Sequence, residues 1–488
     1  MLSTYNNYIL ILSNTSIAIL EGVFILEDNK NSHNFGLEEN LNRGLKDRHI
    51  QLIGLGGAIG VGLFLGSATA IEAAGPAVLL AYTLAGVVIY FIMRAMGEVL
   101  VEYPVSGAFS SHAAKFQGPL MGYLTGWSYW FMWIGTGMAE ITAIGIYMNY
   151  WYPELPIWVT ALCAVILMTI ANFITVSLYG EFEFWFALIK IVTIILMIIG
   201  CVGIIVLGIG NNWIPTGISN LWSHGGFMPN GIVGVLSALV MVMYSYLGIE
   251  IVGVTAGEAH NPRHTLASAI DKVFWRILIF YVLSIGVVIC VYPWDEIGSM
   301  GSPFVLVFSK LGIGFAADLI NFVVITSALS SCNSGLFSTG RMLYNLALQK
   351  KAPAFLANVG ESRVPKAGIL ISAFVLLFGV VLNYVMPEQV FIYVTSVASF
   401  GAMWTWIVIL ITQLRYRQTL SAEQIKHLRY KMPFSPYSNY VALLFIAGVV
   451  IASAINPSTQ IALFIFPVWL IALIVVYYAT GMNKPSVK

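Results

Sequence analysis

Charge is what this sequence has least of. Only 9% of its 488 residues are Asp, Glu, Lys or Arg, against about 25% in a soluble globular domain. That scarcity excludes a water-soluble fold, and a net charge of +1 gives no ground for a nucleic-acid partner. Cysteine is also rare. Cys163, Cys201, Cys290 and Cys332 lie singly in apolar segments with no CxxC pair, so neither a disulfide framework nor a zinc site is indicated. No HExxH, G-x-S-x-G or Walker-type sequence occurs, so the chain reads as no enzyme, and ATP-driven transport has no support in it. His260 and His264 have an i, i+4 spacing, but Pro262 interrupts any helix between them. No metal or cofactor is expected.

What fills the chain is apolar. Hydrophobic residues make up 59% and the mean hydropathy is +0.85. A bilayer core needs about 20 apolar residues per helix. Twelve such segments can be read, at roughly 50–70, 76–98, 119–148, 156–176, 184–209, 231–258, 274–294, 315–345, 367–385, 389–414, 437–455 and 459–481. The basic residues agree with this spacing, because Lys and Arg gather in cytoplasmic loops. In a twelve-span chain 21 of the 23 fall on one side, which puts both termini in the cytoplasm of a cell-membrane protein. The exceptions are Lys310, in an outer connection, and Lys190, inside span 5. Residues 1–40 contain the apolar run Tyr8–Leu26, broken by Asn14 and Glu21. With no basic residue before it, the run makes a poor signal peptide, and it reads as a non-spanning extension.

Span 1 carries "GLGGAIGVGLFLGS", with six glycines between Gly54 and Ser67. Small-xxx-small packing would use one face. These glycines fall on several, so a local unwinding accounts for them better. A broken helix offers free N–H groups at a positive dipole end and free carbonyls beside them. The amides of Gly60, Val61 and Gly62, within Ala58–Ile59–Gly60–Val61–Gly62, suit a carboxylate, and the carbonyls suit an ammonium. The ligand that fits both is an amino acid. In an inverted repeat the matching break lies in span 6, which is interrupted near Ser245–Gly248 and then carries Glu250.

Five stretches carry a resemblance. "RGLKDRHIQLIGLGGAIGVGLFLGS", "AAGPAVLLAYTLAGVVIYFIMRAMGEVLVEYP", "GEFEFWFALIKI", "GIEIVGVTAGEAHNPRHTL" and "SALSSCNSGLFSTGRMLYNLA" occur in this order. They resemble motifs of the amino acid permeases of the amino acid–polyamine–organocation superfamily. The nearest likeness is to the bacterial proton-coupled branch that carries proline, threonine, alanine, serine and glycine. Val61 stands where that family usually has threonine. The resemblance implies an all-α membrane protein of twelve transmembrane helices with a LeuT-like 5+5 inverted repeat, discontinuous helices 1 and 6, and two further C-terminal helices. The permease domain would span residues 41–485, with repeats at about 50–209 and 231–414 and the added helices at about 437–481. It implies a substrate carboxylate on the span 1 backbone and an amine on span 6 carbonyls, so Tyr244, Ser245, Tyr246 and Gly248 join the binding candidates, Tyr244 as an aromatic gate.

Intramembrane charges cost roughly 2.5–3.5 kcal/mol on an insertion scale and need a reason. Lys190 could snorkel to the surface. The resemblance implies instead a proton-coupling lysine facing Ser330 and Ser331. Glu250 reads either as a cap on unwound backbone or as a coupling carboxylate. Glu140 could line the cavity and Glu258 belong to an inner gate. Arg94 and Glu98, at i and i+4, are expected to pair with each other. The reading is a proton/neutral-amino-acid symporter working by alternating access in membrane lipid, and the alternative is an exchanger without proton coupling. A channel would need a repeated filter, and a membrane enzyme or sensor a catalytic constellation or an output domain. Neither is found in the sequence.

Overall fold

The computed structural model describes residue 52 and residues 59–105, 107–173, 176–254, 262–297, 302–311, 315–359 and 364–482. The extension 1–40, Ala58, Glu258 and His260 lie outside the described residues, as does the side chain of His264. Within them the chain is all helix and turn, without a strand.

The elements follow the apolar segments closely. Helix α1 (Val61–Phe64) and α2 (Gly66–Ala74) lead through a 3-10 turn into α3 (Val78–Glu102). A short helix α4 (Ala108–Gln117) precedes α5 (Pro119–Met148), α6 (Ile157–Asn172) and α7 (Val176–Leu207). Then come α8 (Gly231–Ser245), α9 (Ile251–Val254) and α10 (Pro262–Asp271). Next are α11 (Val273–Ile277), a π-helical stretch (Leu278–Leu283) and α12 (Ser284–Val291). The last are α13 (Pro303–Lys310), α14 (Ala316–Leu348), α15 (Lys366–Val385), α16 (Val390–Gln418), α17 (Tyr437–Ala452) and α18 (Pro457–Ala479). Among the described residues eight helical runs are long and apolar enough to cross a membrane, and α6, α8 and α17 are shorter apolar helices. Span 5 begins earlier than expected, since α7 starts at Val176.

Helices α5 and α14 form the centre, and α16 packs along α5. Glycines let them approach: a Cβ on Gly335 would lie 2.8 Å from Trp133, and one on Gly135 3.2 Å from Ala398. Helices α2 and α8 also lie together. Exposed apolar side chains cover the outer helices, Phe374, Leu444 and Phe464 among them, as expected of surfaces that face lipid rather than water.

One expected pair is corrected. Arg94 does not bond Glu98; it pairs with Asp271 at 2.7 Å and lies over the Tyr430 ring. Glu98 is fully buried and takes a bidentate grip from Arg417, whose Nε and Nη2 donate at 2.7 and 2.6 Å. Gln413 donates to Glu98 at 2.8 Å and the Met432 amide at 2.6 Å. Four donors from distant chain satisfy the carboxylate better than one i, i+4 partner could. Glu98→Ala should therefore lower the unfolding free energy by about 3–5 kcal/mol, the scale for stranding a buried partner charge. Adding Arg417→Ala should recover part of the loss. Thermal unfolding in detergent checks this, and an unchanged midpoint for Glu98→Ala would count against the latch.

Candidate functional site

The site grows from the start of α1 and from the turn between α8 and α9. Gly60 is extended (φ −122°, ψ −160°) and caps α1. Carbonyls along this backbone are met by side chains from elsewhere. Ser327 of α14 donates to the Ile59 carbonyl at 3.0 Å. Ser245 of α8 donates to that of Gly62 at 2.9 Å, and Ser302 to that of Phe64 at 2.8 Å. The second break runs from Tyr246 to Glu250, between α8 and α9. Gly248 sits there at φ +96°, a conformation open mainly to glycine. Ser245 thus ties the end of α8 to the start of α1. Tyr82 is 3.1 Å from the same hydroxyl.

Side chains close around the first break. A Cβ on Gly60 would lie 2.7 Å from Glu140 Oε1 and 3.2 Å from Ser331 Oγ. Glu140 is buried and accepts hydrogen bonds from the Ser331 hydroxyl and the Val61 amide. One of the amides expected to receive a ligand carboxylate is therefore held by a carboxylate of the protein. Tyr244 is buried with its ring against Gly62, where a Cβ would come within 3.0 Å. It also lines a cavity of about 50 Å³ with Thr69, Met241, Ser396 and Ser399.

Tyr246 goes elsewhere. Its hydroxyl donates to the Tyr82 carbonyl at 2.8 Å, and its ring packs on Tyr281 with centroids 4.5 Å apart. Glu250 is fully buried. It accepts from the Gly248 amide and from Trp406 Nε1, each at 3.3 Å.

Lys190 is 1% exposed. It donates to Ser330 Oγ at 3.0 Å, while Ser331 turns to Glu140. A residue absent from the expectations joins them. Glu183 is fully buried and accepts from Ser330 Oγ at 2.7 Å. The signal was present: Glu183 and Lys190 stand at i and i+7, on one face of a mostly apolar helix. Lys310, an exception to the expected charge distribution, donates to the Val291 carbonyl at 3.2 Å and sits over the Tyr292 ring. The C-terminal end of α12 thus receives a cation, as its dipole favours. Among the described residues no group of three or more His, Cys, Asp or Glu side chains could hold a metal.

Comparison with known proteins points to one family. The family model described as "Amino acid permease" matches residues 49–488. "Uncharacterized amino acid permease YtnA" of Bacillus subtilis is 57% identical over 449 residues, covering 92% of this chain and 97% of that protein. "Probable threonine/serine transporter YbxG" of the same organism is 49% identical over 444 residues, 91% of this chain and 96% of that protein. "Aromatic amino acid transport protein AroP" of Escherichia coli is 42% identical over 450 residues, 92% of this chain and 98% of that protein.

Proposed function

The chain belongs to the amino acid permease family, and from that premise we propose that this multi-pass membrane protein imports a neutral amino acid by proton symport, alternating access across the cell membrane. The observation that carries the coupling is the buried Lys190, hydrogen-bonded to Ser330 one residue from the serine that serves Glu140. A buried amine that can lose and regain its proton beside the binding backbone links occupancy to a proton gradient. A fixed ammonium could also fill the place that sodium takes in related carriers. The full architecture belongs to the same proposal: twelve spans, two inverted five-helix repeats, two added helices, cytoplasmic termini and an N-terminal extension outside the transport core. The interruptions at Gly60 and at Tyr246–Glu250, joined by Ser245, support it.

The substrate's carboxylate would take the amides at Gly60–Gly62 and its ammonium the carbonyls of the α8–α9 break. The Val61 amide is already engaged by Glu140, so a substrate carboxylate must displace that side chain. Displacement is easier when Glu140 carries a proton, since a neutral acid competes less strongly for the amide. Proton and amino acid would then enter together. A basic side chain finds no clear acidic partner apart from Glu140, whose Oε2 accepts no hydrogen bond among the described residues, and Glu250. An acidic one would meet their charge. Small neutral substrates of the threonine, serine, alanine, glycine or proline type fit the reading, and a relative named for threonine and serine supports it. The relative named for aromatic amino acids sets the competing substrate.

Uptake into sodium-free proteoliposomes tests this. With an inward gradient of one pH unit, coupling of one proton per substrate sustains about a tenfold accumulation. One neutral amino acid should reach that ratio in a panel including threonine, serine, alanine, glycine, proline and phenylalanine. Uptake only into liposomes preloaded with amino acid would make the protein an exchanger and overturn the reading. His112, outside the spans, does not enter the pH profile. Burial holds its pKa at about 4, and its Nε2 lies 2.8 Å from the Tyr103 carbonyl.

A further inference from the structure

Symport through Lys190 leaves the buried carboxylate of Glu183 without a task. Glu183 lies two turns before Lys190 on α7, about 10 Å along the axis, yet both side chains end on the same hydroxyl. Lys190 Nζ donates to Ser330 Oγ at 3.0 Å, and Ser330 Oγ donates to Glu183 Oε1 at 2.7 Å. None of the three is more than 1% exposed. Helix α14 presents two i, i+4 serine pairs here. Ser327 and Ser331 serve the Ile59 carbonyl and Glu140. Ser330 and Ser334 serve the Glu183 carboxylate. Among the described residues, the groups facing Lys190 include Glu183 from its own helix, Ser330 from α14 and Glu140 from α5.

A carboxylate and an ammonium held apart by one hydroxyl, donor to one and acceptor from the other, form a proton wire already in register. We propose that Glu183 is the acceptor that discharges Lys190, through Ser330, on the serine face that does not serve Gly60. An N–H bond of the ammonium breaks as an O–H bond forms on Ser330. The original Ser330 O–H breaks as one forms on Glu183. The products are a neutral amine, an unchanged hydroxyl and a neutral carboxylic acid. No further reactant is needed, and net charge is conserved. In a site shielded from water, the neutral pair avoids the desolvation cost that the ion pair bears. Glu140, beside the binding backbone, and Glu183 would then flank the lysine as entry and exit groups.

The proposal rests on the symport reading, and the test separates the two. Wild type, Glu183→Gln, Glu183→Asp and Ser330→Ala are reconstituted, and the probe is the panel amino acid that wild type accumulates most. Three quantities are read: accumulation under a one-unit gradient, substrate-triggered proton entry reported by entrapped pyranine, and countertransport into preloaded liposomes. For Glu183→Gln accumulation should fall from about tenfold to near unity and proton entry at least tenfold, with countertransport reduced less than threefold. Glu183→Asp should restore part of the proton entry, and Ser330→Ala should change in the same direction as Glu183→Gln. Wild-type accumulation and proton entry in Glu183→Gln would overturn the relay. So would loss of countertransport in step with accumulation in both Glu183 variants, because that marks a merely structural carboxylate. Wild type moving substrate without proton entry would instead overturn the symport reading itself.

Discussion

Lys190→Gln is expected to lower the accumulation ratio under a one-unit proton gradient from about tenfold to about one, while exchange of internal for external amino acid continues. Glutamine can still donate to Ser330 but never changes charge, so the link between a proton and the conformational cycle is cut. The substitution has a structural side. It removes a cation that faces Glu183 and Glu140, and breaking a buried pair typically costs about 3–5 kcal/mol. Stranded carboxylates can relieve that cost by taking up protons, since the neutral acid carries a smaller desolvation penalty. The variant should therefore be less stable at high pH than at low pH, the opposite of a general acid sensitivity. Pairing it with Glu183→Gln should recover stability without recovering accumulation. Uptake by Lys190→Gln that remains concentrative and pH-dependent would remove this lysine from the mechanism. Loss of exchange together with accumulation, unrepaired in the double variant, would show that the lysine holds the fold instead.

The helices were legible in the sequence because apolar length and glycine or proline punctuation are local signals. The reading of span 3 as residues 119–148 coincides with α5, which begins at Pro119 behind Gly118, itself at φ +105°. The second break could be placed near Ser245–Gly248 because glycine and serine mark it, and the structure puts the turn at Tyr246–Glu250. Partners were less legible than elements. Arg94 and Glu98 satisfy the i, i+4 rule, yet Glu98 bonds Arg417, 319 positions away, where a bidentate geometry is available. Tyr246 lies in the same run as Tyr244 but faces Tyr82 and Tyr281. Which way an aromatic points depends on the helices around it. Ser330 and Ser331, expected as joint partners of one lysine, diverge because adjacent helical positions differ by 100°. Glu183 is hard to read for a different reason: its seven-residue spacing from Lys190 acquires meaning only when α14 brings Ser330 between the two side chains.

The three described glycines of span 1, Gly60, Gly62 and Gly66, are expected to respond unequally to a single added methyl group. All three sit at φ values that alanine can adopt, so the differences come from what the new Cβ meets. On Gly66 it would meet Met241 Sδ at 2.6 Å. A thioether on three rotatable bonds moves aside readily, so Gly66→Ala should retain at least about a third of wild-type uptake at a cost under about 1.5 kcal/mol. On Gly60 it would meet Glu140 Oε1 at 2.7 Å. That is the end of a side chain, but one held by Ser331 and the Val61 amide. Gly60→Ala should weaken substrate affinity, about tenfold, more than it slows maximal uptake. On Gly62 the Cβ would come within 2.9 Å of the Ser245 Cα and 3.0 Å of the Tyr244 ring. Backbone cannot swing away, so the two interrupted helices must separate. The 2.9 Å bond from Ser245 to the Gly62 carbonyl then stretches or breaks. Overpacking of this kind costs about 1–3 kcal/mol, and the geometry shared by both halves of the proposed binding backbone is lost with it. Gly62→Ala should abolish both accumulation and exchange, at least a hundredfold, in protein that still reaches the membrane. Uptake by radiolabelled amino acid in the three variants decides the matter. If Gly62→Ala transports as well as Gly66→Ala, these glycines serve ordinary helix packing, and the broken helix is not where the substrate binds.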